Sequence, residues 1–376
     1  MELKNLTWRT VAMAFGVAAG GLMLTGALFV WSGIYNVAAS TDHLSVTTWL
    51  FEKVREQSIA THSSWIEAPP LDDEGMIRLG ASHYEGGCVS CHGRPGELIN
   101  PIVSGMLPSP PDLTVTIARR SPEEIFWIVK HGLKYTGMPA WPDTKRDDEV
   151  WALTAFLTHP LERTGDYSGL AGLTRGAGDE GRDGLAGSRV FTRCARCHES
   201  EGIPTNGDRI PRLAGQPEAY LLRSLREYAQ RTRTSGAMQP VAYLLEDGKM
   251  RDLAAYYSAL APVADKPSAA HDPEQLRRGE AIATRGIPEE KVPACLSCHS
   301  GRQSPHFPAL AGQHADYIAE QLRLWQRGGR AGTAYGRIMA TIARRLGEQQ
   351  IEDVSAYLAS RPAVRAATLP VAEASQ

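Results

Sequence analysis

A five-residue pattern, Cys-x-x-Cys-His, occurs three times and constrains this chain more than any other feature. The three copies lie at residues 88–92, 194–198 and 295–299. In each copy two thiols are three residues apart, so both can lie on one turn of a helix, and a histidine follows the second thiol directly. All six cysteines belong to these copies. No thiol is therefore left for a disulfide or for a separate metal site.

The pattern predicts covalently bound haem. Two thiols at this spacing can each add to a vinyl group of one haem, and the adjacent histidine can then ligate the iron. A single Cys-x-x-Cys is also typical of a redox pair or of half a zinc site. Three copies with no cysteine left over favour three covalently bound c-type haems over both alternatives. The predicted attachment and proximal-ligand residues are Cys88, Cys91, His92, Cys194, Cys197, His198, Cys295, Cys298 and His299.

Near the N-terminus lies the one apolar run of membrane length. Residues 10–35 contain no charged residue and are long enough to cross a bilayer. Lys4 and Arg9 precede the run and Asp42 follows it, which predicts a cytoplasmic N-terminus. The small residues at 37–40 also fit a cleaved signal peptide. We predict an uncleaved anchor over residues 1–40, in the cytoplasmic (inner) membrane, with the haem domains on the periplasmic side.

Composition divides the remaining chain into haem domains and connectors. An amphipathic connector over residues 41–70 is expected either to pack on the first haem domain or to lie on the membrane surface. The predicted haem domains are residues 71–164, 188–262 and 273–362. A Gly-rich linker at 165–187 predicts that the position of the first domain is not set by the chain alone. Residues 263–272 form a short connector, and residues 363–376 form a tail.

The second and third haem domains are internal repeats. The sequence Pro-Arg-Leu-Ala-Gly-Gln at 211–216 matches Pro-Ala-Leu-Ala-Gly-Gln at 308–313, 97 residues later. At the same offset Tyr220 matches Tyr317 and Leu225 matches Leu322. Similarity over this length indicates duplication of one structural unit.

Methionines at matching positions are the predicted sixth ligands of the irons. Met238 and Met339 each lie 40 residues after the histidine of their motif, and Met138 lies 46 residues after His92. In all three domains the residue 18 positions beyond the methionine is aromatic. Thioether and imidazole together raise the reduction potential of the iron and leave it no open position. The alternatives are methionines that only fill the core, or ligation by His131 in the first domain and by His306 or His314 in the third.

Prolines and arginines complete the predicted sites. Pro111, Pro211 and Pro308 are expected to offer a backbone carbonyl to the Nδ1–H group of each proximal histidine and so to hold its tautomer. Four arginines lie in the loops near the methionines, and they either pair with haem propionates or face solvent. These four are Arg231, Arg233, Arg330 and Arg337.

With these motifs, residues 188–362 resemble the dihaem cytochrome c4 family. Residues 71–164, with Gly-Met-Pro-Ala-Trp at 137–141, resemble a monohaem class I cytochrome c. The resemblance implies an all-α fold of three class I cytochrome c domains in tandem behind a single N-terminal transmembrane helix. It also implies that the first and last helices of each domain cross near Gly80/Phe156, Gly187/Tyr256 and Gly279/Tyr357. A departure from the family is the insertion between Gly279 and Cys295, either a docking surface or a longer loop.

The function predicted from these features is electron transfer, with no catalytic residue and no small-molecule substrate. The resemblance implies traffic of single electrons between a quinol- or substrate-oxidising complex and a terminal oxidase or reductase. One alternative is the cytochrome subunit of a membrane dehydrogenase or haem-copper oxidase complex. Another is a haem enzyme, if one iron lacks its methionine. The net charge of −2 offers no case for a nucleic-acid partner.

Overall fold

The computed structural model describes residues 7–159, 167–173, 189–204, 207–262, 272–301 and 304–363. These residues form helices and irregular segments. Within them the only β-type pairing is an isolated bridge between Ile287 and Val292. The all-α prediction is therefore confirmed for the described part of the chain.

Helix α1, Trp8–Ser32, corresponds to the apolar run of the sequence. The side chain of Thr7 caps its N-terminus, and Gly33 ends it in the left-handed region at φ +65°. None of its residues is buried. Within the described ranges it is the one helix long and apolar enough to cross a membrane, by length and composition only.

Helix α2, Ser45–Ser63, lies inside the predicted amphipathic connector. Its C-terminal half packs on the helices that follow, where Ile59 is 1% exposed. Glu56 pairs with Arg120 at 2.6 Å. In its N-terminal half, Val46 and Trp49 remain exposed. Packing on the first haem region, one of the two expected uses of this segment, is thus present for half of the helix.

The remaining helices surround three separate hydrophobic cores. The first unit contains α3 (Glu74–Gly87), α4 (Val89–His92), α5 (Pro101–Ser104), α6 (Leu113–Thr116), a 3₁₀ turn (Ile117–Arg119), α7 (Pro122–His131), α8 (Asp147–Thr158) and α9 (Tyr167–Leu170). The second contains α10 (Arg189–His198), α11 (Glu218–Ala229), α12 (Met238–Tyr243) and α13 (Asp247–Ala259). The third contains α14 (Pro273–Arg285), a 3₁₀ turn (Pro288–Glu290), α15 (Leu296–His299), α16 (Ala315–Gln326), α17 (Ala334–Ala343) and α18 (Glu348–Ser360).

Glycines allow the first and last long helices of a unit to cross closely. In the first unit a Cβ at Gly80 would overlap the carbonyl of Ala152 and the side chain of Phe156. In the third unit a Cβ at Gly279 would overlap the carbonyl of Asp353 and the side chain of Tyr357. These two predicted crossings are confirmed. The third pair, Gly187/Tyr256, cannot be compared because Gly187 lies outside the described residues.

Two segments are packed on the helical units: part of the predicted Gly-rich linker, and the insertion predicted as a docking surface or a longer loop. At the start of the Gly-rich stretch, the Tyr167 hydroxyl donates to Glu85 at 2.9 Å, and Ala171 is fully buried in the first core. Residues 160–166 and 174–188 of that region lie outside the description. The insertion after Gly279 forms a turn that is closed by paired backbone hydrogen bonds between Ile287 and Val292. Arg345 holds this turn against the third unit by donating to the Lys291 carbonyl at 2.6 Å, and Val292 is buried.

Candidate haem sites

Each Cys-x-x-Cys-His copy lies on one turn of helix. In the first unit the His92 amide donates to the Cys88 carbonyl at 2.9 Å, and in the third the His299 amide donates to the Cys295 carbonyl at 3.0 Å. The second copy ends helix α10 at His198. This local hydrogen bonding places the two thiols and the imidazole of a copy on the same short stretch of backbone.

The three motif histidines have the same hydrogen-bond partner. Nδ1 of His92 lies 3.2 Å from the Pro111 carbonyl oxygen, Nδ1 of His198 lies 3.0 Å from that of Pro211, and Nδ1 of His299 lies 2.9 Å from that of Pro308. A carbonyl can only accept, so Nδ1 carries the hydrogen and Nε2 keeps its lone pair for a metal. Each contact joins the histidine to the proline that was expected from the sequence.

Burial favours the neutral imidazole at these positions. It lowers the pKa of His198 to about 4. Burial also lowers the pKa of His92 and that of His299, partly opposed by the hydrogen bond to proline. A neutral imidazole is the form that ligates a metal.

One continuous cavity of about 1250 Å³ connects the three sites. All six cysteines, the three motif histidines and the three prolines line it. The three predicted methionine ligands, Met138, Met238 and Met339, line it as well. The structure therefore brings every residue of the predicted site set to the surface of a single cavity.

The three alternative histidine ligands do not line this cavity. His131 is exposed and packs beside Trp127, with ring centroids 5.3 Å apart. His306 is exposed and stacks on Tyr335. His314 is buried, and its Nδ1 lies 2.9 Å from a carboxylate oxygen of Asp208. The arrangement thus favours the methionines over these histidines as iron ligands.

The surroundings of two arginines on the cavity wall show whether the anionic groups of haem fit there. Arg233 is 6% exposed, donates to Ser224 at 3.1 Å and lies over the Tyr228 ring, while its Nε has no partner. Arg330 lies over the Trp325 ring at 4.2 Å. Among the described residues neither guanidinium forms an ion pair with a carboxylate. A buried cation without a counter-ion is costly, so an anion belongs here, and haem propionates have the required charge.

The other two arginines considered from the sequence, Arg231 and Arg337, are exposed and do not line the cavity. A bare metal ion also lacks a site in the described ranges, since no group of three or more His, Cys, Asp or Glu side chains there could hold one. Each site offers two thiols and one imidazole, and the arginines on the cavity wall can bind propionates. These groups fit haem iron better than a free metal ion.

Two family descriptions match the chain. "Cytochrome C oxidase, cbb3-type, subunit III" matches residues 75–157, and "Cytochrome c" matches residues 185–260 and 277–362. A thiosulfate dehydrogenase electron acceptor of Thiomonas intermedia is 37% identical over 172 residues, which are 45% of this chain and 78% of the relative. The chain belongs to the cytochrome c family. Membership implies covalently bound haem c with iron, and the three motifs are consistent with three such groups.

This cytochrome is also similar to cytochrome c4. Cytochrome c4 of Pseudomonas aeruginosa is 35% identical over 195 residues, which are 50% of this chain and 92% of the relative. A solved cytochrome c4 structure from Acidithiobacillus ferrooxidans is 35% identical and covers 44% of this chain and 97% of that chain, with a TM-score of 0.40. The sequence identity to the Pseudomonas relative confirms the resemblance to cytochrome c4 that the sequence predicted.

Three polar groups beside the sites were missed from the sequence. Glu149 is 2% exposed and accepts a hydrogen bond from Trp141 Nε1 at 3.0 Å. Ser235, also buried, joins them from the second unit. His83 is buried next to Trp141, and burial lowers its pKa to about 3. A signal for Glu149 existed: it lies 11 residues after Met138, where the repeats have Lys249 and Gln350.

Proposed function

We propose that this cytochrome is a membrane-tethered periplasmic electron carrier with three covalent haems and no chemistry on a substrate. The observation that supports this most is the continuous cavity that all three motifs and all three methionines line. When bound, the haems supply one-electron redox chemistry. The motif cysteines would attach them through thioether bonds, the motif histidines and the three methionines would ligate their irons, and the cavity would bury them from water.

The proposed domains are class I cytochrome c domains in tandem, at residues 71–164, 188–262 and 273–362. Helix α1 would be the uncleaved anchor in the cytoplasmic membrane, with the amphipathic connector behind it. The proposed cofactor-binding residues are Cys88, Cys91, Cys194, Cys197, Cys295, Cys298, Pro111, Pro211 and Pro308. The proposed iron ligands are His92, Met138, His198, Met238, His299 and Met339.

The proposed electron path runs from a quinol- or substrate-oxidising complex to a terminal oxidase or reductase. The relative named as an acceptor for thiosulfate dehydrogenase makes a substrate-oxidising dehydrogenase a reasonable donor class. That relative matches less than half of this chain.

The second candidate is the cytochrome subunit of a stable oxidase complex. It is favoured by the match of residues 75–157 to a family described as a subunit of cytochrome c oxidase. Purification in mild detergent distinguishes the electron carrier from the oxidase subunit. Co-purification of large integral membrane subunits with stoichiometric haem content would support the subunit, and a chain that purifies alone supports the carrier.

The decisive test of the carrier is an absorption spectrum of the purified full chain. We expect three covalent haems by mass, far-red absorption of full strength for three sulfur-ligated irons, and no spectral change when carbon monoxide is added to the reduced form. If one haem lacks the far-red absorption and binds carbon monoxide, its iron has an open position. The electron-carrier proposal would then be wrong, and a haem enzyme would be the better interpretation.

The anchor has its own test. A variant in which residues 1–40 are replaced by a cleavable secretion signal should move from the membrane fraction to the soluble periplasm with its haems attached. If the natural chain is itself found soluble and begins after residue 40, the segment is a signal peptide and the tether is wrong.

A further inference from the structure

A buried carboxylate joins the methionine-bearing loops of the first and second units. Glu149, the third residue of α8, accepts hydrogen bonds from Trp141 Nε1 at 3.0 Å and from the Gly236 amide at 2.6 Å. Its other oxygen accepts from the hydroxyl of Ser235. One side chain of the first unit therefore satisfies donors from both units, at a position where only 2% of its surface reaches solvent.

These donors lie next to the predicted iron ligands. Trp141 follows Met138 by three residues, in the same loop. Ser235 precedes Met238 by three residues, and its hydroxyl oxygen accepts from the Met238 amide at 3.1 Å. Gly236 lies directly against the indole of Trp141, where an added Cβ would overlap the ring. The loops of two predicted methionine ligands thus touch, with Glu149 at the centre of the contact.

A buried arginine completes the contact. Arg146 is 9% exposed and pairs with Glu149 at 2.8 Å and with Asp148 at 2.7 Å. It also donates to the Thr234 carbonyl of the second unit at 3.2 Å. The Thr234 hydroxyl in turn bonds to Asp143 of the first unit. Every charged member of this cluster has a partner, which is the condition under which buried charges hold a defined arrangement.

The cluster is specific to the first unit and is not a general requirement of the fold. Counted from the methionine, the position of Glu149 is held by Lys249 in the second unit and by Gln350 in the third. Lys249 is exposed, and among the described residues it forms an ion pair only with Asp252 on its own helix. The acid therefore occurs in only one of the two units whose methionine loops touch.

We propose that Glu149, together with Trp141 and Arg146, is a positioning device that docks the methionine side of the first haem domain onto that of the second. Electrons then pass between these two haems across one fixed contact. Without it, the first domain would be held by the Gly-rich linker and by more exposed contacts such as the pair of Arg209 and Asp73 at 3.2 Å, which fix its position less firmly. This inference rests on the proposed electron-carrier function, and it makes the first haem a defined relay to the second.

The proposal implies an equilibrium between a docked and an undocked arrangement of the first and second units. A flexible linker alone provides an effective concentration in the millimolar range, which makes encounters frequent without fixing their geometry. A satisfied buried cluster adds a preference for one geometry. Truncating Glu149 leaves Arg146 buried without this partner and removes the acceptor of three donors, so the docked state should lose about a hundredfold or more in population relative to the undocked state.

The test compares the full-length holoprotein with Glu149→Ala and Glu149→Gln, with Lys249→Ala as the control at the matching position. A light flash generates less than one equivalent of reductant per chain, so that each reduced chain receives a single electron. The measured quantity is the first-order rate at which this electron redistributes among the haems. We expect Glu149→Ala to slow the redistribution between the first and second haems by at least about tenfold, and Glu149→Gln to give an intermediate rate. Lys249→Ala should match the unmodified chain.

Small-angle X-ray scattering of the same samples reports docking independently of electron transfer. Glu149→Ala should increase the radius of gyration, with three haems and full far-red absorption retained. Unchanged scattering and unchanged rate in that variant would overturn the proposal. If the irons prove open but scattering still shows undocking, the carrier function fails and the docking role stands.

If Glu149→Ala does not accumulate with three haems, Trp141→Phe is measured in its place. This substitution removes the indole N–H donor to Glu149. A fall in rate and an expansion in scattering would support the proposal through this variant. The same rate and scattering as the unmodified chain would overturn it.

Discussion

At the scale of residues, each proposed haem site would take one iron ligand from the motif itself and the other from a distant loop. The imidazole belongs to the motif itself, and its Nδ1 hydrogen is held by a proline carbonyl. The proposed thioether ligand would come from a methionine at least 40 residues further along the chain. Substitution of the methionine should therefore change ligation on one side of one haem and leave the attachment of that haem intact.

We expect Met238→Leu to keep three covalent haems and to lose about a third of the far-red absorption, because one of three sulfur ligands is removed. The reduced variant should then bind one carbon monoxide per chain. The control is Met250→Leu, since Met250 is a buried core methionine that does not line the cavity. Full far-red absorption in Met238→Leu would show that this methionine is not a ligand.

Acid stability depends on a second residue-scale feature, the pair of Asp353 and Arg278 between α18 and α14. Arg278 donates to both carboxylate oxygens, at 2.7 and 2.9 Å, and this hydrogen bonding lowers the pKa of Asp353. A depressed folded-state pKa means that the carboxylate adds stability above the unfolded-state pKa and loses it as the pH falls through the folded-state value.

The corresponding expectation is that Asp353→Asn lowers the thermal midpoint at neutral pH, and that its difference from the unmodified chain shrinks below about pH 4. Thermal unfolding followed by circular dichroism across this range measures it. Asp252→Asn, at an exposed acid, is the control and should show little difference at any pH. A difference for Asp353→Asn that grows on acidification would contradict the assignment.

At the scale of helices, the crossing of α3 and α8 depends on Gly80. Because a Cβ there would overlap backbone atoms of Ala152, the helices cannot keep their distance if the side chain grows by one methyl group. We expect Gly80→Ala to destabilise the chain by about 1–3 kcal/mol in spite of the better helix propensity of alanine.

Gly248→Ala is the matched control, because Gly248 is also in a helix and has no atom within 4 Å of an added Cβ. It should be neutral or stabilising by about 0.5–1 kcal/mol. Denaturant unfolding of both holoproteins gives the comparison. Equal stabilities would show that the first and last helices of the unit can separate without cost.

For the whole molecule, the second and third units are joined by two reciprocal glutamine contacts. Gln216 donates to the Ala309 carbonyl at 2.8 Å and accepts from the Ala309 amide at 3.0 Å. Gln313 makes the same pair of bonds with the backbone of Arg212, at 3.1 and 2.9 Å. The repeated Leu-Ala-Gly-Gln sequence thus provides a two-fold contact in which each copy binds the backbone of the other.

Gln216→Ala should leave the Ala309 amide and carbonyl buried without partners and cost about 1–3 kcal/mol for each group left unpaired. The transitions of the two units should also move apart in calorimetry, since two of the hydrogen bonds that couple them are lost. Gln230→Ala, at an exposed glutamine, should have no effect. One unshifted transition in Gln216→Ala would show that the glutamine contacts do not couple the units.

Much of the fold could be predicted because the signals are local. Asp73 caps α3 through a bond to the Met76 amide, and Ser121 caps α7, so both helices begin where their acidic first turns predict. The thiol spacing and the adjacent histidine are likewise set within one helical turn. The apolar run predicted over residues 10–35 is the helix Trp8–Ser32.

The sequence alone therefore determined the cofactor chemistry, the helical units and the positions of the candidate ligands, because each depends on residues a few positions apart or on a repeat. Only the tertiary structure decided how the units meet. Glu149 and Ser235 are 86 residues apart, and no periodicity links them. The glycine-rich composition of the linker predicts only how flexible the chain is between the units, and therefore it cannot predict whether the units dock. Docking depends on the buried partners that two folded surfaces bring together.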